Sequence, residues 1–237
     1  MRTMIFCDLI TMKRNLIQTF CVCAVIAFAL SLGMGTPVAG AAAVAAMAPF
    51  MYLFTTAAYD EQNGWERFRL TLPISKRSAV LGRYASVLIA MLAGVAMSVI
   101  AAELAVAVVQ LFPFGEETKA AMSWDAAPLT SVLGGALLSA AVIMLAIDVA
   151  LPLLLGFGMT SATRLIPIVF LLVICGGIGI LGNTGMLDGI MGGLIGFIDT
   201  ESEGAIPMLA VGAWAVSLVV YALSCAVGIK LYERREL

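Results

Sequence analysis

The chain has 237 residues, of which 62% are hydrophobic and only 12% are charged, and its formal net charge is -2. Soluble domains are about one-quarter charged, so this composition excludes an ordinary soluble protein and predicts a membrane protein that crosses the bilayer several times. The slight negative charge argues against a nucleic-acid partner, which needs a basic face. The absence of histidine excludes histidine-based catalytic triads, HExxH zinc sites and imidazole proton relays.

Six apolar stretches are long enough to cross the hydrocarbon core, which takes about 20 helical residues. They predict an all-α fold with one transmembrane domain over residues 1–237. The predicted spans are residues 16–35, 38–58, 85–112, 129–156, 165–187 and 206–229. The five cysteines fall in these spans or near the N-terminus, so we expect free thiols and no disulfide framework.

Residues 1–15, before the first span, place apolar side chains on one side of a helix together with Arg2, Lys13 and Arg14. This pattern predicts a short amphipathic helix lying at the membrane interface. The alternative is a cleavable signal peptide. Against it, Asp8 interrupts the basic region and the apolar run continues into a second span.

The basic residues orient the predicted spans. Six spans put both termini on one side, and if that side is the cytoplasm it holds every Lys and Arg except Lys119. The positive-inside rule therefore predicts a multi-pass plasma-membrane protein with both termini in the cytoplasm. Residues 188–205 would lie outside as a loop or re-entrant segment, because their apolar run is too short to cross. The outer loops are acidic, which would attract cationic peptides or ions or simply reflects tolerance of acidic residues there.

The segment at residues 59–84 separates the second span from the third and is far longer than a helix hairpin needs, which indicates a functional loop. Asp60 or Asn63 can cap a helix within it. Acidic residues come early in this helix and basic residues later, the order that the helix dipole favours. These residues are Glu61, Glu66, Arg67 and Arg69.

An apolar stripe runs along the same predicted helix, since Trp65, Phe68 and Leu72 recur at helical spacing and Pro73 ends the helix. Ser75 can then cap a second helix that re-enters the bilayer. This second helix carries Lys76, Arg77 and Arg83, with Tyr84 predicted in the interfacial belt. The residues alone fit a protein-docking surface and an amphipathic helix on lipid headgroups equally well.

The order of these features resembles a known family. An N-terminal stretch ending Met-Lys-Arg-Asn is followed by two spans and a segment with Asp-Glu early and Leu-Pro-Ile-Ser-Lys-Arg and Val-Leu-Gly-Arg-Tyr late, then by four more spans. This arrangement is similar to the permease subunit of ABC-2 type exporters. It is most similar to the small six-span branch associated with export of, or immunity to, bacteriocins, lantibiotics and phenol-soluble modulins.

The resemblance implies that the 59–84 segment holds a coupling helix that docks on a separate cytoplasmic ABC ATPase dimer. The residues carried over to this docking surface are Asp60, Glu61, Trp65, Glu66, Arg67, Phe68, Arg69, Pro73, Ser75, Lys76 and Arg77. The sequence has no GxxxxGK[ST] phosphate loop, so ATP and Mg would bind to the partner, and this chain would hold no cofactor and would not be an enzyme. Six spans are half of the usual complement, which implies a second permease copy or a paralogue.

Polar residues in or beside the apolar spans are further candidates, because a carboxylate inside a membrane is costly and suggests a function. Glu103 should reach toward the outer headgroups, whereas Asp148 should be more deeply buried. Asp148 can pair with Arg164 at a lateral gate or dimer interface, or can contact the cargo.

The resulting prediction is an ATP-driven exporter in a bacterial cytoplasmic membrane, surrounded by lipid, for hydrophobic or amphipathic cargo such as antimicrobial or cytolytic peptides. One alternative is a membrane immunity or accessory protein that binds a peptide without transporting it. The other is an intramembrane enzyme that uses Glu103 and Asp148, which would require both carboxylates at one depth.

Overall fold

The computed structural model describes residues 2–64, 75–125, 128–158 and 205–234. All regular structure in these ranges is helical, which confirms the all-α prediction. The helices are α1 (Arg2–Met34), α2 (Pro37–Gln62), α3 (Lys76–Leu111), α4 (Glu116–Ala121), α5 (Leu129–Phe157) and α6 (Ala205–Arg234). Within the described ranges, five helices are long and apolar enough to cross a membrane, and α4 is the short exception. The predicted span at 165–187 lies outside the described residues.

The first helix is continuous over 33 residues, or about 50 Å at ~1.5 Å per residue. The predicted boundary between an interfacial helix at 1–15 and a span from residue 16 is therefore not a break in the backbone. The span-like part of α1 is Ile17–Met34. The whole helix is longer than the hydrocarbon core, which is about 30 Å thick. It ends at Gly35, whose φ of +66° suits glycine and turns the chain into α2.

The long helices form one bundle in which α2 contacts α1, α3 and α5, while α6 packs against α5 and α3. Close approach depends on small residues, as is common between membrane helices. A Cβ at Gly40 of α2 would overlap the Ala27 carbonyl and the Ser31 hydroxyl of α1, and a Cβ at Gly94 of α3 would lie 3.2 Å from Ala48. The described cysteines, Cys21, Cys23 and Cys225, are free thiols.

The directions of the helices determine which helix ends lie together at each end of the bundle. Neighbouring helices run antiparallel from α1 to α3, but α5 and α6 are parallel. The Trp214 indole donates to the Leu137 carbonyl at 2.9 Å, and Gly156 faces Leu231 further along both helices. The start of α1, the end of α2, the start of α3 and the ends of α5 and α6 therefore gather at one end of the bundle. We call it the loop end.

The opposite end of the bundle, the far end, holds α4 and its flanking turns. The Gln110 side-chain amide of α3 donates to the carbonyls of Lys119 and Met122, at 2.9 and 3.2 Å. The Met122 side chain is fully buried against α3. These contacts hold the far-end turns against the bundle.

Candidate functional site

Of the two helices that enter the 59–84 segment, α2 extends further than the sequence predicts, whereas α3 begins at the predicted cap. α2 continues through Asp60 and Glu61 to Gln62, and α3 begins at Lys76. The prediction that Asp60 caps a following helix is therefore wrong, because Asp60 lies inside α2. Asn63 closes α2, since its backbone N–H and its side-chain amide both donate to the Tyr59 carbonyl, at 3.2 and 2.9 Å.

Asp60 continues the helix because it finds a cationic partner in the interior. The Arg83 guanidinium of α3 donates directly to the Asp60 carboxylate of α2. The two residues are only 8% and 6% exposed. Ions withdrawn from water offset their desolvation only through close, hydrogen-bonded geometry, and this contact joins the two helices that enclose residues 63–75.

Ser75 caps α3, as predicted. Its backbone is extended, and its hydroxyl oxygen accepts a hydrogen bond from the Ser78 backbone N–H at 3.2 Å. Lys76 and Arg77 therefore occupy the first turn of α3. Arg77 donates to the Glu233 carboxylate of α6 at 2.7 Å, but its side chain is 71% exposed. An ion pair this exposed contributes little to stability.

Tyr84 is buried, so its predicted place in the interfacial belt is wrong. Only 3% of the residue is exposed. Its hydroxyl lies 2.9 Å from the Ser224 hydroxyl of α6, and Ser224 in turn donates to the Asp148 backbone carbonyl of α5 at 2.6 Å. Because serine has one hydroxyl proton, Tyr84 is the donor in the first bond. The Tyr221 hydroxyl donates to the Tyr84 carbonyl at 2.7 Å.

Arg83 and Tyr84 thus connect α3 to different neighbouring helices. Arg83 connects α3 to α2, and Tyr84 connects it to α5 and α6. Leaving a buried donor or acceptor without its partner costs about 1–3 kcal/mol. A displacement at the start of α3 therefore either moves the neighbouring helices or breaks several buried bonds.

The intramembrane carboxylates do not form one site. Asp148 is 5% exposed, and both of its carboxylate oxygens lack a hydrogen-bond partner among the described residues. Glu103 lies toward the far end and accepts a hydrogen bond from the Trp124 indole at 3.1 Å. Glu103 is about 28 Å along α3 from Tyr84. Tyr84 is linked to the Asp148 backbone through Ser224. Within the described part of the chain, no three His, Cys, Asp or Glu side chains are grouped as a metal would require.

Several predicted site residues lie outside the described residues and are not placed here. They are Trp65, Glu66, Arg67, Phe68, Arg69, Pro73 and Arg164. Conversely, Tyr221, Ser224 and Gly228 were not among the residues predicted from the sequence. Their spacing of three and four residues, which puts them on one face of α6, was the available signal.

The Tyr84 ring fits against α6 because of Gly228. A Cβ at that position would lie 3.0 Å from the Tyr84 hydroxyl and 3.3 Å from its ring. Contacts of this kind are tighter than ordinary van der Waals packing allows. The small residue, one turn beyond Ser224, is thus part of the geometry that buries Tyr84.

Comparison with known proteins identifies the kind of protein to which this site belongs. The family model described as "ABC-2 family transporter protein" matches residues 3–233, which include the 59–84 segment and nearly all of the described helical residues. No match was found among curated proteins or among solved structures. The chain belongs to the ABC-2 transporter family and is the membrane-spanning permease of an ABC transporter.

Proposed function

We propose that this permease is the transmembrane subunit of an ATP-driven exporter for hydrophobic or amphipathic cargo, peptides above all. We further propose that its 59–84 segment docks on the ATPase. Family membership implies an ABC ATPase partner. The Asp60–Arg83 pair carries the docking proposal, because it fixes both ends of the segment to the bundle.

Closure of the ATPase dimer would displace the segment, and the displacement would enter α3 at its first turn. Ser75 caps α3 within the segment, so the segment runs directly into this helix. α3 is 36 residues long, or about 54 Å, and reaches from the loop end to the far end. Arg83 and Tyr84 would pass the displacement on to α2, α5 and α6, and the helices would tilt together.

The described residues of the proposed docking surface differ in burial, which suggests different roles for them. Glu61 and Arg77 are exposed at the loop end, where the surface of a docked ATPase would contact them. Asp60 is buried against Arg83 and is therefore a positioning residue and not a contact. The apolar stripe of Trp65, Phe68 and Leu72 would supply the buried centre of the interface, where aromatic residues carry most of the binding energy.

The helix directions support the proposed topology. The chain leaves α5 at the loop end near residue 158 and enters α6 at the far end near residue 205. Residues 159–204 therefore join opposite ends of the bundle, as a sixth span at 165–187 would require. With the basic loop end in the cytoplasm, the far end with Glu116 and Glu117 would face outward. A second copy or a paralogue would complete the translocation path.

Co-purification tests the docking proposal. An ABC ATPase from the same cells should co-purify with the wild-type permease from detergent-solubilised membranes. The double variant Trp65→Ala/Phe68→Ala should lose it, whereas Phe112→Ala, which truncates an exposed aromatic side chain at the far end, should retain it. Co-purification of the ATPase with the double variant would contradict the docking proposal. A permease that protects cells from a peptide without any ATPase would be an accessory protein.

A further inference from the structure

The Asp148 carboxylate is buried without a hydrogen-bond partner among the described residues. It lies in α5 where this helix packs against α2, α3 and α6, with 5% of the residue exposed. Neither carboxylate oxygen accepts a hydrogen bond from a described group. An unpartnered carboxylate at such a position is costly, and in a membrane protein it indicates a functional site.

The hydroxyl groups next to Asp148 do not satisfy it, because their protons are already donated elsewhere. Ser224 donates to the Asp148 backbone carbonyl at 2.6 Å, Tyr84 donates to Ser224 at 2.9 Å, and Tyr221 donates to the Tyr84 carbonyl at 2.7 Å. Each hydroxyl has one proton. None of these three is left for the carboxylate, and no other described group donates to it.

Aromatic rings surround the same part of the bundle. The rings of Tyr84 and Tyr221 pack edge to face with centroids 5.0 Å apart, and Tyr52 of α2 belongs to the same buried cluster. Tyr84 and Tyr221 are close enough to Asp148 to interact with it electrostatically. Arg83, one residue before Tyr84, is engaged by Asp60. A carboxylate and aromatic rings in an apolar interior suit a lipophilic cation, through counter-charge and cation–π attraction.

We propose that Asp148 accepts the positively charged group of a hydrophobic or amphipathic molecule bound between α3, α5 and α6, in a site that is closed in this structure. Entry requires α3 and α6 to separate, which breaks the bond between Tyr84 and Ser224. Tyr84 directly follows Arg83 and is the last residue of the 59–84 segment. The permease alone would open the site transiently, the movement proposed for ATPase docking would favour the open state, and the cargo would be cationic.

Direct binding to the purified permease tests this site without the ATPase, so the test is independent of the docking proposal on which its transport role rests. The probe is tetraphenylphosphonium, a permanent cation with an aromatic shell, measured by equilibrium dialysis in detergent. Asp148→Asn should weaken binding about tenfold or more, since the Coulombic attraction between the carboxylate and the cation is lost. Tetraphenylborate, which has the same shape and the opposite charge, should not bind more weakly to the variant.

Glu103→Gln is the matched control, because it removes the other intramembrane carboxylate at the far end, where Trp124 already donates to it. It should leave phosphonium binding unchanged. The proposal is overturned if the wild-type protein does not bind the phosphonium, or if Asp148→Asn binds it as tightly as the wild type.

Chemical modification of the wild-type protein decides the question if Asp148→Asn does not fold. A hydrophobic carbodiimide should modify the Asp148 carboxyl as the site opens, and mass spectrometry of the peptides locates the adduct. Saturating phosphonium should slow modification at Asp148 and leave Glu103 unaffected. No modification at Asp148, or modification that phosphonium does not slow, would overturn the proposal.

Discussion

Asp60 and Arg83 are 23 positions apart in the chain, yet their side chains meet in the interior at the loop end. Removing one member of a buried ion pair leaves the other charge uncompensated and costs about 3–5 kcal/mol. We therefore expect Asp60→Asn and Arg83→Met each to lower the melting temperature of the purified permease markedly. The double variant should recover much of the loss, which a double-mutant cycle would measure.

The exposed pair between Arg77 and Glu233 supplies the control for this cycle. Arg77→Met breaks an ion pair of similar chemistry on the same helix, but in contact with water. It should leave the melting temperature nearly unchanged. Single variants of Asp60 and Arg83 that melt like Arg77→Met would show that the buried pair does not hold α2 and α3 together.

Gly228 sets the position of Tyr84 against α6. Gly228→Ala should force the Tyr84 ring away from Ser224 and destabilise the protein by about 1–3 kcal/mol, as overpacking of an interior does. Gly212→Ala on the same helix is the control, since a Cβ there meets no atom within 4 Å. Thermal unfolding should separate the two variants, and equal melting temperatures would mean that the Tyr84 contact tolerates the extra methyl group.

At the scale of elements, the N-terminus of α3 depends on its cap. Ser75→Ala removes the hydroxyl that accepts from Ser78 N–H and should cost about 1 kcal/mol. Hydrogen exchange of the amides at residues 76–79 should become faster in this variant. Ser78→Ala keeps the cap, because Ser78 contributes only its backbone N–H to it. This variant should leave the exchange at residues 76–79 unchanged. Equal exchange in both variants would mean that the cap does not fix the start of α3.

The elements show what local sequence pattern can and cannot predict. The cap at Ser75 and the four described spans after the first were predictable within a few residues at most boundaries, because hydropathy and capping act over neighbouring positions. The end of α2 was not, since its charged residues suggested an exit from the bilayer. Its continuation depends on Arg83, a partner from the next helix.

The burial of Tyr84 was unpredictable for the same reason. An aromatic residue after basic residues at the start of a span fits the interfacial belt. The bond that buries it reaches Ser224, 140 positions away. That no described residue donates to the Asp148 carboxylate likewise follows from how three hydroxyl protons are shared between helices, which no spacing in the sequence reveals.

At the scale of the whole molecule, the fold predicts that Gln62 and Glu117 lie on opposite sides of the membrane. Both residues are exposed, Gln62 at the loop end and Glu117 at the far end. In a cysteine-free background, a membrane-impermeant maleimide should label Glu117→Cys in intact cells. It should label Gln62→Cys only after permeabilisation. The reverse pattern would invert the proposed orientation.

The central proposal is that the ATPase engages the loop end through the 59–84 segment. The most direct measurement is photocrosslinking in native membranes from a benzoylphenylalanine placed at Gln62, an exposed residue of this segment at the end of α2. Phe112 at the far end is the control position. We expect an adduct between the permease and the ATPase from position 62 and none from position 112. Failure to capture the ATPase from position 62, or equal capture from both positions, would contradict it.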